Sequence, residues 1–118
     1  MNIERWASHA AGRSRTVAHG DTVWTVANAT TIPAEFDGQL IQSLAMLDAS
    51  LQEAGSSRTQ ILSIQVILSD IAYRTEFDRI WQTWIGPDPE HWPQRACIQS
   101  GLTPGLLVEL VVVAARES

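Results

Sequence analysis

The segment of residues 106–115 constrains the fold of this chain more than any other part of its sequence. It is apolar at every position except Glu109, and it is rich in β-branched valine. Such a run predicts a strand that is buried on both faces. Because an isolated carboxylate is costly to bury, we expect Glu109 to be paired or hydrogen-bonded where it lies.

The segment before this strand predicts a second strand that carries a base. Residues 95–100 begin with Arg95, and turn-forming residues 103–105 join the two segments, which predicts a hairpin. With the turn near Pro104, Arg95 pairs near Val113, roughly 13 Å from Glu109, so no direct ion pair is expected within one chain. Three alternatives stay open: the two charges have a structural role, they form a binding site for a small acid, or Arg95 and Glu109 contact each other across a subunit interface.

Periodicity elsewhere predicts two helices among short strands. Apolar residues recur at helical steps through residues 34–54 and 75–85, Pro33 suits a first helical turn, and Gly55 ends the first helix. Further strands are predicted at residues 16–20, 22–28 and 60–69, and residues 3–7 are a candidate for one more. The order ββαβαββ predicts an α+β fold, with one sheet covered on one face by two helices.

The uncovered face of that sheet predicts self-association. Residues 61–68 and 106–115 are so apolar that covering one face alone would leave a large exposed patch. A chain of 118 residues lacks the material to cover the second face itself. We therefore expect a homo-oligomer whose sheets pack against each other.

Composition excludes several classes of function. The length fits one domain, residues 1–118, and the net charge is −5. All eight basic residues are arginines and they are scattered, which argues against a nucleic-acid partner. Because the chain has no lysine, it can form no Schiff base, including one to pyridoxal phosphate.

Metal, cofactor and membrane signals are also missing from the sequence. The single cysteine, Cys97, allows no intrachain disulfide, and His9, His19 and His91 lack metal-binding spacing. There is no phosphate-binding or dinucleotide-binding motif, so no cofactor is expected. No apolar run approaches the roughly 20 residues of a membrane span. The N-terminus lacks the pattern of a signal peptide, so a cytoplasmic location is expected.

Several segments, taken in order, resemble the Rid (YjgF-like) family. They are residues 39–44 (QLIQSL), 51–55 (LQEAG), 61–70, and 95–98 (RACI) followed by Val108-Glu109, and the resemblance spans residues 12–116. It implies a chorismate-mutase-like α+β fold with one mixed sheet, and a homotrimer whose sheets face inward. It also implies ligand sites in the clefts between subunits. The best-known activity of the family is hydrolysis of reactive 2-enamine and 2-imine acids to 2-keto acids and ammonia.

The resemblance assigns roles to individual residues. It implies that Arg95 binds the substrate carboxylate, a role that suits the bidentate geometry of a guanidinium group. It implies that the backbone of Cys97 lines the pocket and that Glu109 handles water and protons. Trp92 precedes Arg95 in a proline-rich loop, where it either caps the pocket and selects substrates or simply anchors the loop.

Three departures from the family pattern concern the site. Ala27-Asn28 replaces the usual glycine and glutamine, and the methyl group of Ala27 restricts the approach of a ligand to the backbone. Asp78 stands where many members have asparagine, which adds negative charge if it lines the pocket. A tyrosine common near the N-terminal side of the site has no counterpart.

Two functions follow, with different tests. The first is a hydrolytic deaminase that needs neither a cofactor nor a covalent intermediate, because imines are already electrophilic. The second is a non-catalytic or differently specialised trimer that binds a small carboxylate metabolite. Ribonuclease activity, which the resemblance sometimes carries, is disfavoured by the net charge of −5 and the missing basic patch.

Overall fold

The computed structural model describes residues 2–32 and 35–117. Over these residues the chain forms six strands and two α-helices. Their bounds are β1 (Ile3–Ala7), β2 (Ser14–His19), β3 (Thr22–Ala27), α1 (Phe36–Glu53), β4 (Ile61–Leu68), α2 (Arg74–Ile85), β5 (Gln94–Gln99) and β6 (Val108–Ala115). Pro33 and Ala34, where the sequence predicts the first turn of a helix, lie outside the described residues.

The strands form one mixed sheet in the order β1-β2-β3-β6-β4-β5. The β4 and β5 strands are parallel, and every other neighbouring pair is antiparallel. Both helices pack on one face of this sheet, which confirms the predicted α+β fold, and the candidate strand at residues 3–7 is present. In the described part of the chain, no helix is long and apolar enough to cross a membrane.

The predicted hairpin of the last two strands is wrong. The β4 strand lies between β5 and β6, and α2 forms the crossover that joins β4 to the parallel strand β5. The reason is the length of the link: residues 100–107 are long enough to pass the end of β4, whereas neighbouring antiparallel strands are commonly joined by two residues. Arg95 is in register with Ile64, not with Val113.

The core lies between the helices and one face of the sheet. In β6, Val108, Leu110, Val112 and Ala114 are buried toward the helices, and the residues between them are only half-buried on the other face. Within one chain, then, this strand is buried on one face rather than on both. A single cluster of buried apolar residues has members in β2, β3, β4, β6 and both helices, and Trp6 of β1 and Cys97 of β5 pack against it.

The face of the sheet away from the helices is partly apolar and exposed. Trp24 and Val26 on β3 and Ile98 on β5 are 44%, 39% and 40% exposed, and the alternation of buried residues places them on this open face. Exposed apolar patches of this kind are common at protein–protein interfaces. The sheet-to-sheet homo-oligomer stays a prediction.

Gln39 connects α1 to the link before β6. Its side chain is fully buried; its Nε2 atom donates to the carbonyl of Gly105 at 2.8 Å, and its Oε1 atom accepts from the amide of Leu107 at 2.8 Å. The Leu107 carbonyl in turn accepts from the amide of Ser69 after β4. One amide side chain thus satisfies two backbone groups and fixes where β6 begins.

We expect Gln39→Met to destabilise the protein by about 1–3 kcal/mol, because it preserves volume but removes the side-chain hydrogen bonds to the Gly105 carbonyl and the Leu107 amide. Chemical denaturation at fixed protein concentration measures the change. Gln52→Met, at an exposed position of the same helix, is the matched control and should change stability little. Equal effects of the two substitutions would contradict the structural role assigned to Gln39.

Candidate active site

The structure divides the predicted site residues between two places. Arg95 lies with Asp78 and Trp92 around a cleft at the α2 side of the sheet. Glu109 lies with Asn28 on the open face. Each place carries part of the chemistry that the resemblance implies.

Arg95 is held between α2 and the edge strand β5. Its Nη2 atom donates to Oδ1 of Asp78 at 2.6 Å, and its guanidinium carbon lies 5.2 Å from the centre of the Phe77 ring. The Arg95 side chain is 22% exposed and that of Asp78 is 35% exposed. Among the described residues, the bond to Asp78 is the only hydrogen bond of this guanidinium, so its other donors can bind an anion.

A cleft with a volume of about 760 Å³ opens beside Arg95. It lies between the C-terminal half of α2, the loop of residues 86–93 and β5. Its polar end is formed by Arg95 and Asp78, and its walls are mainly apolar: Trp81, Ile85, Pro87, Trp92 and Pro93. An apolar cleft with a few convergent polar groups is typical of small-molecule binding sites.

Trp92 lies at this cleft and is anchored by one hydrogen bond. Its indole Nε1 atom donates to the carbonyl of Gly86 at 2.9 Å, and the side chain is 56% exposed. Gly86 ends α2 with φ of 84°, in the left-handed region that favours glycine. The two interpretations of Trp92 from the sequence are compatible, because the same side chain holds the loop and lines the cleft.

Glu109 has a partner within its own chain. Nδ2 of Asn28 donates to Oε1 of Glu109 at 3.1 Å, and the register of β3 with β6, which pairs Ala27 with Leu110, places the two residues side by side. The requirement that this carboxylate be hydrogen-bonded is met, although the sequence did not indicate Asn28 as the donor. Ala27 is fully buried with its methyl group toward the helices, and its role in substrate binding stays a prediction.

Cys97 lies on the same side of the sheet as Arg95. It is partly buried against the hydrophobic core and in register with Val66. Burial raises the pKa of the Cys97 thiol above its usual value, and the positive charge of Arg95 only partly opposes that effect. A thiol in this state is a weak nucleophile at neutral pH.

Arg95 and Glu109 of one chain cannot contact the same small molecule. The strands β5 and β6 are separated by β4, or roughly 10 Å, and the register offsets the two residues by three positions, roughly another 10 Å. Their side chains also leave opposite faces of the sheet, because Arg95 contacts α2 and Glu109 alternates with the buried residues of β6. A site with both groups needs a second copy of the chain.

The ion pair of Arg95 with Asp78 was also not predicted from the sequence. The sequence did contain a signal for it, since a helix between two strands is the pattern of a parallel crossover, which places the helix over its own strands.

No group of three or more histidine, cysteine, aspartate or glutamate side chains within residues 2–32 and 35–117 is arranged to hold a metal ion.

Comparison with known proteins identifies the family. Residues 3–116 match the family described as Endoribonuclease L-PSP. YoaB of Escherichia coli K12, a RutC family protein, is 30% identical over 103 residues, which are 86% of this chain and 89% of that protein. The chain therefore belongs to the endoribonuclease L-PSP family, and the resemblance to Rid (YjgF-like) proteins is confirmed.

Solved structures share the fold of this chain. An uncharacterized protein from Pseudomonas aeruginosa has a TM-score of 0.89 and 33% identity, with 98% of this chain and 100% of that chain covered. NMB1025 of Neisseria meningitidis, a member of the YjgF protein family, has a TM-score of 0.90 at 22% identity, with 100% and 98% covered. At that identity, the second comparison shows the fold alone.

We expect slow alkylation of Cys97 by iodoacetamide at pH 7.5, because the thiolate is the reactive form and burial disfavours it. The rate should rise as pH increases past the usual pKa of a thiol. The urea-unfolded chain serves as the control and should react faster at pH 7.5, with an ordinary thiol profile. Rapid alkylation of the folded protein at neutral pH would contradict this assignment.

Proposed function

We propose that this protein is a hydrolytic deaminase of 2-imine and 2-enamine acids, with sites in the clefts between copies of the chain. The observation that carries the proposal is Arg95: a largely buried guanidinium with free donors, at the polar end of an apolar cleft. Membership of the family supports it, as does the half-buried Glu109. We retain the cytoplasmic location expected from the sequence.

In this mechanism, Arg95 binds the carboxylate of the substrate with two parallel N–H···O bonds. Asp78 holds the guanidinium at Nη2 and so fixes its orientation in the cleft. The ligand must therefore use the remaining donors. Fixing the substrate in this way places its imine carbon in a defined position for attack.

Glu109 then positions the attacking water. Asn28 occupies Oε1 of Glu109, and Oε2 has no hydrogen-bond partner among residues 2–32 and 35–117, so it can accept a proton from water. Water adds across the C=N bond, its oxygen bonding to carbon and a proton passing to nitrogen. Cleavage of the C–N bond releases ammonia and leaves the 2-keto acid. The balance needs only water, and no atom of the protein forms a covalent bond.

The proposal requires a neighbouring copy, because one chain cannot bring Arg95 and Glu109 together. The exposed apolar residues of the open face offer a surface for that contact, and a homotrimer is the arrangement that we propose. Each cleft then takes Arg95 from one copy and Glu109 from the next.

The charge distribution disfavours ribonuclease activity despite the description of the family. Within residues 2–32 and 35–117, five of the eight arginines form ion pairs with carboxylates: Arg15, Arg58, Arg79, Arg95 and Arg116. With a net charge of −5, little positive surface remains for a phosphate backbone.

The second candidate function is binding of a small carboxylate metabolite without turnover. It is favoured by Asp78, because the negative charge of this residue partly neutralises Arg95 and would weaken the binding of the usual substrates. One comparison separates the two candidates. If a 2-keto acid raises the melting temperature of the protein but the corresponding imine releases no ammonia, the protein binds without turnover.

We expect the protein to accelerate ammonia release from 2-iminopropionate, generated in situ by an amino-acid oxidase. Arg95→Ala should lower kcat/KM by about a hundredfold, because two charge-assisted hydrogen bonds are lost. Arg95→Lys keeps the charge but not the bidentate geometry and should be intermediate. Arg79→Ala, at an exposed arginine of α2, is the control. Equal turnover by Arg95→Ala and the original protein would contradict this mechanism.

Joint refolding of two inactive variants should restore activity. In a 1:1 mixture of Arg95→Ala and Glu109→Gln chains, about a quarter of the clefts receive both intact groups if three equivalent sites form between neighbours. Ammonia release measures the recovery, and size-exclusion chromatography with light scattering measures the assembly. A chain with both substitutions, mixed with either single variant, should recover nothing. No recovery in the first mixture, with the assembly intact, would place both groups of a site on one chain.

A further inference from the structure

We propose that the cleft beside Arg95 selects 2-imino acids with an aromatic or large branched hydrocarbon side chain. This inference rests on the proposed function for the reaction but names the substrate class from the shape of the cleft. The carboxylate binds at Arg95, and the side chain extends along the apolar walls. Trp81, Ile85 and Trp92 are among the residues that form those walls.

The inner wall of the cleft is rigid. Trp81 and Ile85 are each only 6% exposed and belong to the hydrophobic core. The Trp81 ring stacks on Phe77 with 5.9 Å between centroids and lies tilted against Trp84 at 5.4 Å. Since these contacts fix its position, this wall presents a preformed apolar surface rather than one that a ligand must order.

The outer wall is an exposed indole that is nevertheless held in place. Trp92 is 56% exposed, although its N–H group is already used on the Gly86 carbonyl. What remains for a ligand is the ring itself, whose burial against an apolar group is favourable. A second aromatic ring or a branched side chain covers the indole, and a methyl group does not.

The volume of the cleft also favours a ligand with a large side chain. Its volume of about 760 Å³ falls within the range of roughly 300–1,000 Å³ that is typical of pockets for drug-sized ligands. An acid with a methyl side chain would fill the polar end and leave the apolar walls in contact with water. A ligand with a larger apolar side chain removes that surface from water.

The polar end excludes one class of substrate. Asp78 places a carboxylate beside Arg95, and the protein carries a net charge of −5. One ligand carboxylate is accepted by the free donors of Arg95, but a second one on the side chain would meet apolar walls and repulsion. We therefore expect monocarboxylic acids to bind and dicarboxylic acids to be rejected.

The test measures binding and turnover separately. The ¹⁵N-labelled protein is titrated with phenylpyruvate, 4-methyl-2-oxopentanoate, pyruvate and 2-oxoglutarate while the indole N–H resonance of Trp92 is followed, identified by its loss in Trp92→Phe. In parallel, ammonia release is measured for the imines of phenylalanine, leucine, alanine and glutamate. Trp92→Ala removes the outer wall, and Trp92→Phe keeps an aromatic ring but not the N–H. Ile41→Ala, at an exposed residue outside this cleft, is the matched control.

We expect phenylpyruvate and 4-methyl-2-oxopentanoate to bind at least about tenfold more tightly than pyruvate, a ratio that apolar pockets commonly reach. 2-Oxoglutarate should bind most weakly. Trp92→Ala should remove most of the preference, Trp92→Phe should retain it, and Ile41→Ala should not change it. Pyruvate binding as tight as that of phenylpyruvate, or a preference unchanged in Trp92→Ala, would overturn the inference.

The two arms separate this inference from the proposed function. Selective binding of the large acids, with no ammonia released from any imine, would support the selectivity and overturn the hydrolysis. Equal turnover of all four imines, together with equal binding, would support the hydrolysis and overturn the selectivity.

Discussion

The position of β4 between β5 and β6 is the constraint on which the rest of this structure depends. It follows from the crossover through α2 and from the link of residues 100–107, which the buried side chain of Gln39 fixes by two hydrogen bonds. Because α2 carries the chain back along β4, the next strand runs parallel to β4, and its Arg95 lies against that helix. Arg95 is thereby placed against α2, and Glu109 is placed two strands away on the opposite face.

The sequence allowed the elements and the fold class to be predicted, but not how the last three strands are arranged. Helical spacing in α1 and α2 and the apolar runs of β4 and β6 are local signals, and each correctly indicated a helix or a strand, although within one chain β6 is buried on one face rather than on both. The pairing of β5 is not local. The turn-like residues 103–105 suggested a hairpin, and only the length of the whole link indicates a longer path. Strand alternation predicts which residues share a face but not which strand lies beside which.

The candidate site shows the same limit at the level of single residues. Arg95 and Glu109 were identifiable because their residue types are unusual in apolar strands, and the family pattern assigned them roles. Their partners, Asp78 and Asn28, depend on tertiary contacts across 17 and 81 positions of the chain. No periodicity connects such pairs. Of the two, Asp78 was the easier to find, because a crossover helix must cover the strand that follows it.

Asp78 has opposing effects on the site. Its carboxylate fixes the Arg95 guanidinium, and a fixed guanidinium loses less side-chain freedom when a ligand binds. The same carboxylate also lowers the positive charge that attracts the ligand, so recognition of the acid group alone is weakened. Such a site binds its ligand more tightly if it also contacts a part of the ligand other than the carboxylate. The apolar walls beside Arg95 offer that second source, since burial of a hydrocarbon side chain does not depend on the charge balance at the polar end.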